Sequence, residues 1–271
     1  MAKQIRNGTV ELDDGILDYA VFGDGPKTLI VLPGLSDALT TVRGKALLLA
    51  GPYRPYLNDY TVYMVSRRRN LPADYSIAQM AEDQVNAIRI LGLRRVSVLG
   101  VSQGGMIALS MAVNHPECIA QLVLAVTSSR ANDLIRTRLN AWNTYAQENR
   151  HQQLMIDTAE HSYSPAYLAK YRRAYPLLGL VGKPKNYDRF FTNTQAILSF
   201  DISDRLSSIS CPTLMIGGET DDIVGVEESY YLQEHISASK LYVYPGLGHA
   251  LFEEAPDFYA RVFAFLGQAH P

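Results

Sequence analysis

Residues 96–105, which read VSVLGVSQGG, decide the fold of this chain. Positions 96–101 form the apolar run of a buried strand, and positions 103–114 have the pattern of a helix. Ser102 therefore lies at a sharp turn between the two, with Gly100 and Gly104 where side chains would clash. The pattern Gly-x-Ser-x-Gly in this setting is a nucleophile elbow, and it predicts a strained serine with its hydroxyl exposed above a sheet.

Outward from the elbow, short apolar runs alternate with helical patterns along most of the chain. The predicted strands are residues 9–12, 16–22, 28–32, 61–65, 96–101, 122–126, 213–216 and 241–244. Helices are predicted to begin after Ser76, which can form a capping box with Gln79, and to cover 103–114, 226–236 and 256–266. Apolar strands that alternate with helices indicate a parallel sheet covered on both faces. We therefore predict an α/β fold with a mostly parallel, eight-stranded sheet.

Residues 130–207 interrupt this alternation, because they contain no strand-like run and are helical, loop-rich and aromatic. The strand pattern resumes after them. We therefore predict one core domain made of residues 1–129 and 208–271, with 130–207 inserted into it as a helical unit.

A serine hydroxyl needs a base to become a nucleophile, and in this architecture the acid and the histidine follow the serine in the chain. The chain has six histidines, and three lie beyond the late acidic loop. His235 falls inside a helical pattern and His270 is the penultimate residue. His249 lies in a loop just after a predicted strand, so we predict that it is the base.

The acid that orients this histidine is expected in the loop after the strand at 213–216. That loop reads GGETDDIV and contains Glu219, Asp221 and Asp222. Spacing alone does not separate the three carboxylates.

The elbow, the acidic loop and the late histidine together resemble a serine hydrolase of the α/β-hydrolase fold superfamily, of the cap-bearing, esterase-like kind. The resemblance extends from about residue 9 to residue 266. The acid loop of that superfamily commonly reads Gly-x-x-Asp-x-Ile-Val, which implies that Asp221 is the acid. The insertion at 130–207 corresponds to the cap that covers the active site in that superfamily.

The resemblance also implies an oxyanion hole. The family loop after the third strand corresponds here to Pro33-Gly34-Leu35, with proline in place of the usual histidine. By this match the backbone N–H groups of Leu35 and Gln103 would bind the oxyanion. Substrate contacts are expected from Gly34, Arg67, Trp142 and Tyr163.

Residues 66–72, SRRRNLP, depart from the Asp-x-Arg-Gly-x-Gly-x-Ser pattern usual in cap-bearing members. One interpretation is an anion-recognition patch suited to a carboxylate-bearing substrate. The other is a set of salt bridges between cap and sheet, or a solvated face.

Composition narrows the class of protein. The chain has 271 residues, a formal net charge of −2 and two cysteines, Cys118 and Cys211. Without a basic excess it is not expected to bind nucleic acid, and its cysteines cannot form a disulfide framework or a zinc cluster. The N-terminus has no signal-peptide pattern and no apolar run could span a membrane, which predicts a cytoplasmic protein.

No cluster of His, Cys and Asp has the spacing of metal ligands, so no metal is expected. Neither a Gly-x-Gly-x-x-Gly nor a P-loop pattern occurs, so no cofactor is expected either. The expected partner is a small-molecule substrate, and the sequence allows a homodimer. The resemblance implies hydrolysis of a small to medium carboxylic ester or lactone through an acyl-enzyme. Two alternatives stay open, a C–C bond hydrolase of ring-fission or β-diketone acids and a ligand sensor that keeps the hydrolase pocket.

Overall fold

Eight strands form one sheet in the computed structural model, which describes residues 4–180 and 182–268. The strands are β1 (Ile5–Leu12), β2 (Gly15–Phe22), β3 (Lys27–Leu32), β4 (Tyr60–Arg68), β5 (Val96–Val101), β6 (Ile119–Ala125), β7 (Thr213–Gly218) and β8 (Ser239–Tyr244). Their order across the sheet is β1-β2-β4-β3-β5-β6-β7-β8. β2 pairs antiparallel with β1 and β4, and the pairs from β4 onward across the sheet are parallel. The predicted sheet is thereby confirmed.

Helices cover both faces of this sheet. They are α1 (Ala46–Leu49), α2 (Ile77–Ile90), α3 (Gln103–Asn114), α4 (Asp133–Gln147), α5 (His151–Ser162), α6 (Pro165–Tyr171), α7 (Tyr175–Leu178), α8 (Asp188–Leu198), α9 (Val226–His235), α10 (Leu251–Glu254) and α11 (Phe258–Leu266). Buried side chains of α2, α3 and α9 join one apolar cluster, and those of α1, α10 and α11 join a second. Within the described ranges, no helix has the length and apolarity needed to cross a membrane.

Local signals place the main core helices. Ser76 and Gln79 form the predicted capping box at the start of α2, and Gly92 takes φ +70° just after that helix ends.

The predicted strand at 122–126 ends one residue early, because Val126 turns to φ 47°. Its N–H nevertheless donates to Ile216 O (2.9 Å), which fixes the end of β6 against β7.

The insertion departs from the sheet and returns to it at one place. Helices α4 to α8 all lie between β6 and β7. Ala131 N donates to Phe200 O (3.1 Å) and Ile202 N donates to Ser129 O (2.9 Å), so the outgoing and returning chains run side by side. We call residues 130–207 the cap. His270, the penultimate residue that was set aside as a candidate base, lies outside the described residues.

Candidate active site

Ser102 occupies the turn between β5 and α3 with φ 52° and ψ −120°, a region that non-glycine residues rarely adopt. Backbone and side-chain bonds on both sides hold it there. Ser102 N donates to Ala125 O (2.9 Å), and the hydroxyl of Thr127 donates to Ser102 O (2.7 Å). The strained elbow is thus fixed by the residues at and just after the end of β6.

The two glycines of the elbow have no room for a side chain. A Cβ on Gly104 would lie 2.0 Å from Leu32 O, and one on Gly100 would lie 2.5 Å from Gly104 O. These contacts are with backbone atoms, which cannot move aside as a flexible side chain could. The spacing of the motif is therefore a packing requirement of this turn.

Ser102, His249 and Asp221 form one chain of hydrogen bonds. His249 Nε2 lies 3.0 Å from Ser102 Oγ, and His249 Nδ1 lies 2.9 Å from Asp221 Oδ2. The three side chains come from the ends of β5, β7 and β8, at the carboxyl edge of the sheet. A proton can pass from the hydroxyl to the imidazole in this geometry.

Asp221 is oriented by the backbone as well as by the histidine. Its Oδ1 accepts hydrogen bonds from Ile223 N (2.9 Å) and Val224 N (3.0 Å). Burial alone would raise the pKa of Asp221, but the charge and hydrogen bond of His249 and these two N–H groups outweigh burial and lower it. The carboxylate therefore stays ionised beside the imidazole.

The structure separates the three acids that spacing left open. Glu219 accepts a hydrogen bond from Gly246 N (2.7 Å). Asp222 binds two cap residues, Arg138 Nη2 at 2.6 Å and His161 Nδ1 at 2.7 Å. Of the three carboxylates, Asp221 is the one that contacts His249.

The two amides expected to bind an oxyanion both lie beside Ser102. Leu35 begins a short 3-10 helix and Gln103 begins α3, and the first N–H groups of a helix have no partner within it. Among the residues that the structure describes, neither amide donates a hydrogen bond. A Cβ on Gly34 would lie 3.9 Å from Ser102 Oγ, so the loop passes directly over the hydroxyl.

Arg67, one of the expected substrate contacts, is enclosed by other residues of the protein. Its side chain is 1% exposed and forms an ion pair with Asp37 (Nη1–Oδ2, 3.3 Å). Nη1 also donates to Gly34 O (3.0 Å) and Nη2 donates to Gln103 Oε1. Burial lowers the pKa of the Arg67 guanidinium, and the charge of Asp37 offsets part of that effect.

The other two arginines of this run are paired with carboxylates of the core. Arg68 pairs with Asp83 and, through Nη1, with Asp14 (2.7 Å). Arg69 pairs with Asp18 through Nη2 (2.8 Å). These pairs fit the interpretation of the run as salt bridges. They join one part of the core to another, however, and not the cap to the sheet.

Two of the expected substrate contacts, Trp142 and Tyr163, have partners in the cap or next to it. Trp142 is buried and donates its indole N–H to Asp157 Oδ2 (2.9 Å), so it packs the interior of the cap. The Tyr163 hydroxyl donates to Glu253 Oε2 (2.6 Å), and its ring stacks on Tyr167. This tyrosine joins the cap to α10, whereas Gly34 keeps its place beside Ser102.

Three polar residues near the site were missed by sequence reasoning. Asp37 accepts hydrogen bonds from Ser66 Oγ (2.5 Å) and Arg67 N (3.1 Å). Arg189 and Asn193 of α8 reach the same region from the cap. Of the three, only Asp37 could have been suspected from the sequence, because it is an acid two residues beyond the predicted oxyanion loop. Nothing in the sequence of α8 indicates that Arg189 and Asn193 reach the site.

Two open cavities lie apart from the three hydrogen-bonded residues. The first has a volume of about 340 Å³ and is lined by residues that include Asn143 and Gln147. The second has a volume of about 350 Å³ and is lined by residues that include Tyr56 and Phe263. Neither of these two cavities is lined by Ser102, His249 or Asp221. In the part of the chain that the structure describes, no group of three His, Cys, Asp or Glu residues could hold a metal ion. The site is therefore defined by its polar groups.

Comparison with known proteins gives a consistent family. The sequence model of the alpha/beta hydrolase fold matches residues 53–256. A Caulobacter protein named "Putative carbamate hydrolase RutD" is 29% identical over 97% of this chain and 98% of its own length. A Pseudomonas putida protein named 2-hydroxy-6-oxononadienedioate/2-hydroxy-6-oxononatrienedioate hydrolase 2 is 27% identical over 97% of this chain and 94% of its own.

A solved structure gives the same fold. MGS-M2, described as an alpha/beta hydrolase enzyme from a deep-sea metagenome library of the Medee basin, superposes with a TM-score of 0.86. It covers 97% of this chain and 98% of its own, at 22% sequence identity.

Proposed function

This chain belongs to the α/β-hydrolase fold family, and from that premise we propose that it is a serine hydrolase cleaving small to medium carboxylic esters or lactones. The observation that carries the proposal is the chain of hydrogen bonds from Ser102 Oγ through His249 to Asp221, with distances of 3.0 and 2.9 Å. A serine with a base in hydrogen-bond reach, oriented by a third group, is the arrangement that nucleophilic acyl transfer needs.

In the first half-reaction, Ser102 Oγ attacks the acyl carbonyl while His249 Nε2 takes its proton. The tetrahedral oxyanion is bound by the N–H groups of Leu35 and Gln103. His249 then donates that proton to the leaving alkoxide, and the ester bond breaks to leave an acyl-enzyme on Ser102. Asp221 stabilises the imidazolium that exists between the two steps.

In the second half-reaction, a water molecule takes the place of the alcohol. His249 removes a proton from the water, the hydroxide attacks the acyl carbon, and the same two amides bind the second oxyanion. The proton then returns to Ser102 Oγ as the carboxylic acid leaves. In a lactone the leaving alcohol stays attached to the acyl group, so the product is a hydroxy acid.

The pairing of the arginine run with carboxylates favours a neutral acyl group over one that carries a carboxylate. The arginine run, the strongest sequence signal for a carboxylate-bearing substrate, is already paired: Arg67 with Asp37, Arg68 with Asp83 and Asp14, and Arg69 with Asp18. A dienedioate such as the one named for the Pseudomonas putida relative would bring two carboxylates. We therefore rank C–C cleavage of such acids below ester hydrolysis.

A carbamate is the second candidate substrate. The relative from Caulobacter that spans nearly the whole chain carries a carbamate hydrolase name. A carbamate has a neutral acyl carbonyl, and the same steps would form a carbamoyl group on Ser102 before water releases it. The candidate thus needs no residue beyond those of the ester mechanism.

The nucleophile is tested with a fluorophosphonate probe, which reacts with activated serines. We expect labelling of the wild type and none of Ser102→Ala, with ester turnover reduced on the order of 10⁶-fold. Ser207→Ala, which changes an exposed serine, is the matched control, and we expect it to keep both the labelling and the ester turnover of the wild type. Labelling or turnover that survives in Ser102→Ala would exclude the assignment.

A substrate panel then separates the candidates. Nitrophenyl acetate and butyrate, a simple lactone, an alkyl carbamate and a dienoate diacid are compared by kcat/KM. We expect the neutral esters and lactone to lead. A clear preference for the carbamate would select the second candidate, and a preference for the diacid would overturn the charge argument.

A further inference from the structure

The buried guanidinium of Arg67 has contacts that stability alone does not explain. It is fully enclosed, and the one carboxylate that it contacts, Asp37, also pairs with Arg189 Nη2 (2.9 Å). A buried ion pair is weak evidence for stability, since apolar residues of similar volume often replace it without loss. We therefore looked for what else this charge holds in place.

One contact is with the first predicted oxyanion amide. Arg67 Nη1 donates to Gly34 O at 3.0 Å, and that carbonyl belongs to the same peptide unit as the N–H of Leu35. In a trans peptide the C=O and N–H point in opposite directions, and none of the described peptides is cis. Anchoring the oxygen from behind therefore directs the N–H away from Arg67.

A second contact is with the other oxyanion residue. Arg67 Nη2 donates to the side-chain oxygen of Gln103, whose own amide nitrogen donates to Asn193 Oδ1 (3.0 Å) of the cap. Gln103 is the first residue of α3, so fixing its side chain fixes the start of the helix. One guanidinium thereby contacts the peptide that carries the Leu35 N–H and the side chain of Gln103, the two residues assigned to the oxyanion hole.

The charge of this cluster complements an oxyanion. Asp37 carries one negative charge, and Arg67 and Arg189 carry two positive charges, which leaves the buried cluster at +1. A cation bonded to the Gly34 carbonyl also polarises that peptide and makes its N–H a stronger donor. Such fixed positive groups act most strongly where negative charge develops in the reaction.

We propose that Arg67 is a positioning residue of the oxyanion hole, which aligns the Gly34–Leu35 peptide and Gln103 and places positive charge behind them. This inference rests on the proposed serine-hydrolase function. Arg67 contacts no substrate; it acts through the two backbone amides that do.

The test compares Arg67→Met with Arg69→Met in the full-length protein. Arg69, a partly exposed neighbour paired with Asp18, is the matched control. For Arg67→Met we expect kcat on nitrophenyl butyrate to fall by about 10²-fold, the effect of a misplaced or missing oxyanion donor. KM should stay within about threefold, because the unreacted ester makes little use of the hole. Arg69→Met should match the wild type in both constants.

A second measurement excludes a merely structural role. Trifluoromethyl propyl ketone adds to an active serine and forms an oxyanion. Its inhibition constant should therefore rise in Arg67→Met by the same factor by which kcat/KM falls. If Arg67→Met does not fold, Arg67→Lys decides. It keeps the charge but cannot bind both the Gly34 carbonyl and the Gln103 side chain, and should lose at least about tenfold in kcat and in ketone affinity.

The outcomes are distinguishable from failure of the proposed function. If the wild type neither hydrolyses the ester nor reacts with a fluorophosphonate, the proposed function fails. If the wild type does both and the folded Arg67 variant keeps its kcat and ketone affinity, the positioning role is wrong. Equal losses in Arg69→Met would also overturn it.

Discussion

At the scale of single residues, Ser102 obtains its geometry from neighbours that lie far from it in the chain. The carbonyl of Ala125 and the hydroxyl of Thr127 bind its backbone, and the nearby Val126 also adopts a positive φ of 47°. Ser102 and Val126 are both non-glycine residues with positive φ, a strained backbone conformation that persists only where surrounding bonds hold it. Such strain is typical of functional sites, and here it aims the hydroxyl at His249.

The glycines of the elbow are open to a direct test. Gly104→Ala would place a Cβ 2.0 Å from Leu32 O, so we expect a loss of several kcal/mol of stability or no soluble protein. Gly51→Ala is the control, since no atom lies within 4 Å of its Cβ position. Chemical denaturation measures both, and a Gly104→Ala protein as stable as the control would contradict the packing argument.

The two adjacent aspartates should separate cleanly in activity. Asp221→Asn removes the charge beside His249, and we expect ester turnover to fall on the order of 10⁴-fold. Asp222→Asn removes a half-exposed ion pair with the cap, so turnover should change no more than about threefold. Steady-state kinetics on nitrophenyl butyrate measures both, and the reverse order would make Asp222 the acid.

At the scale of elements, helix α8 connects the cap to the oxyanion loop. Arg189 and Asn193 are four residues apart and share one face of the helix. Arg189 binds the Asp37 carboxylate (2.9 Å) and carbonyls of the core, and Asn193 binds Gln103. A single helix face thereby docks onto the back of the site.

Removing the Arg189 anchor should loosen this docking. In Arg189→Met, charge-assisted hydrogen bonds worth roughly 2 kcal/mol are lost, while Asp37 keeps Arg67 as its partner. We expect the melting temperature to fall by about 4–8 °C and amide exchange in α8 to increase. Arg173→Met, an exposed change in the cap, is the control. Unchanged exchange in α8 would show that the helix docks by other contacts.

At the scale of the whole molecule, the site lies where the carboxyl edge of the sheet meets the cap. β3, β5, β7 and β8 each end in a loop that carries a part of the site, as is usual for open α/β sheets. The cap touches all four of those loops, because Arg189 of the cap also binds Asp37 in the loop after β3. Asp222 binds Arg138 and His161, Ala250 N donates to Ser162 O (2.8 Å), and Gln103 binds Asn193. Cap position and site geometry are therefore coupled through direct polar contacts.

The sequence alone determined the elements of this protein. The period of the apolar residues, Ser76 as a cap and the spaced glycines around Ser102 are local signals, and the strands, α2 and the elbow follow from them. The sequence also predicts a helical insertion at 130–207, and helices α4 to α8 lie between β6 and β7. The family resemblance added the expectation of Asp221 among three neighbouring acids.

Only the tertiary structure decided which polar groups meet. It placed Asp221 rather than Asp222 against His249, enclosed Arg67 beside Asp37, and brought Arg189 to Asp37 across 152 positions of the chain. The periodicity of apolar residues indicates which face of a helix or strand is buried. It does not indicate which side chain from a distant part of the sequence packs against that face. Partners so far apart in sequence are selected when the whole core packs, because a buried charge is stable only where folding brings its counter-charge.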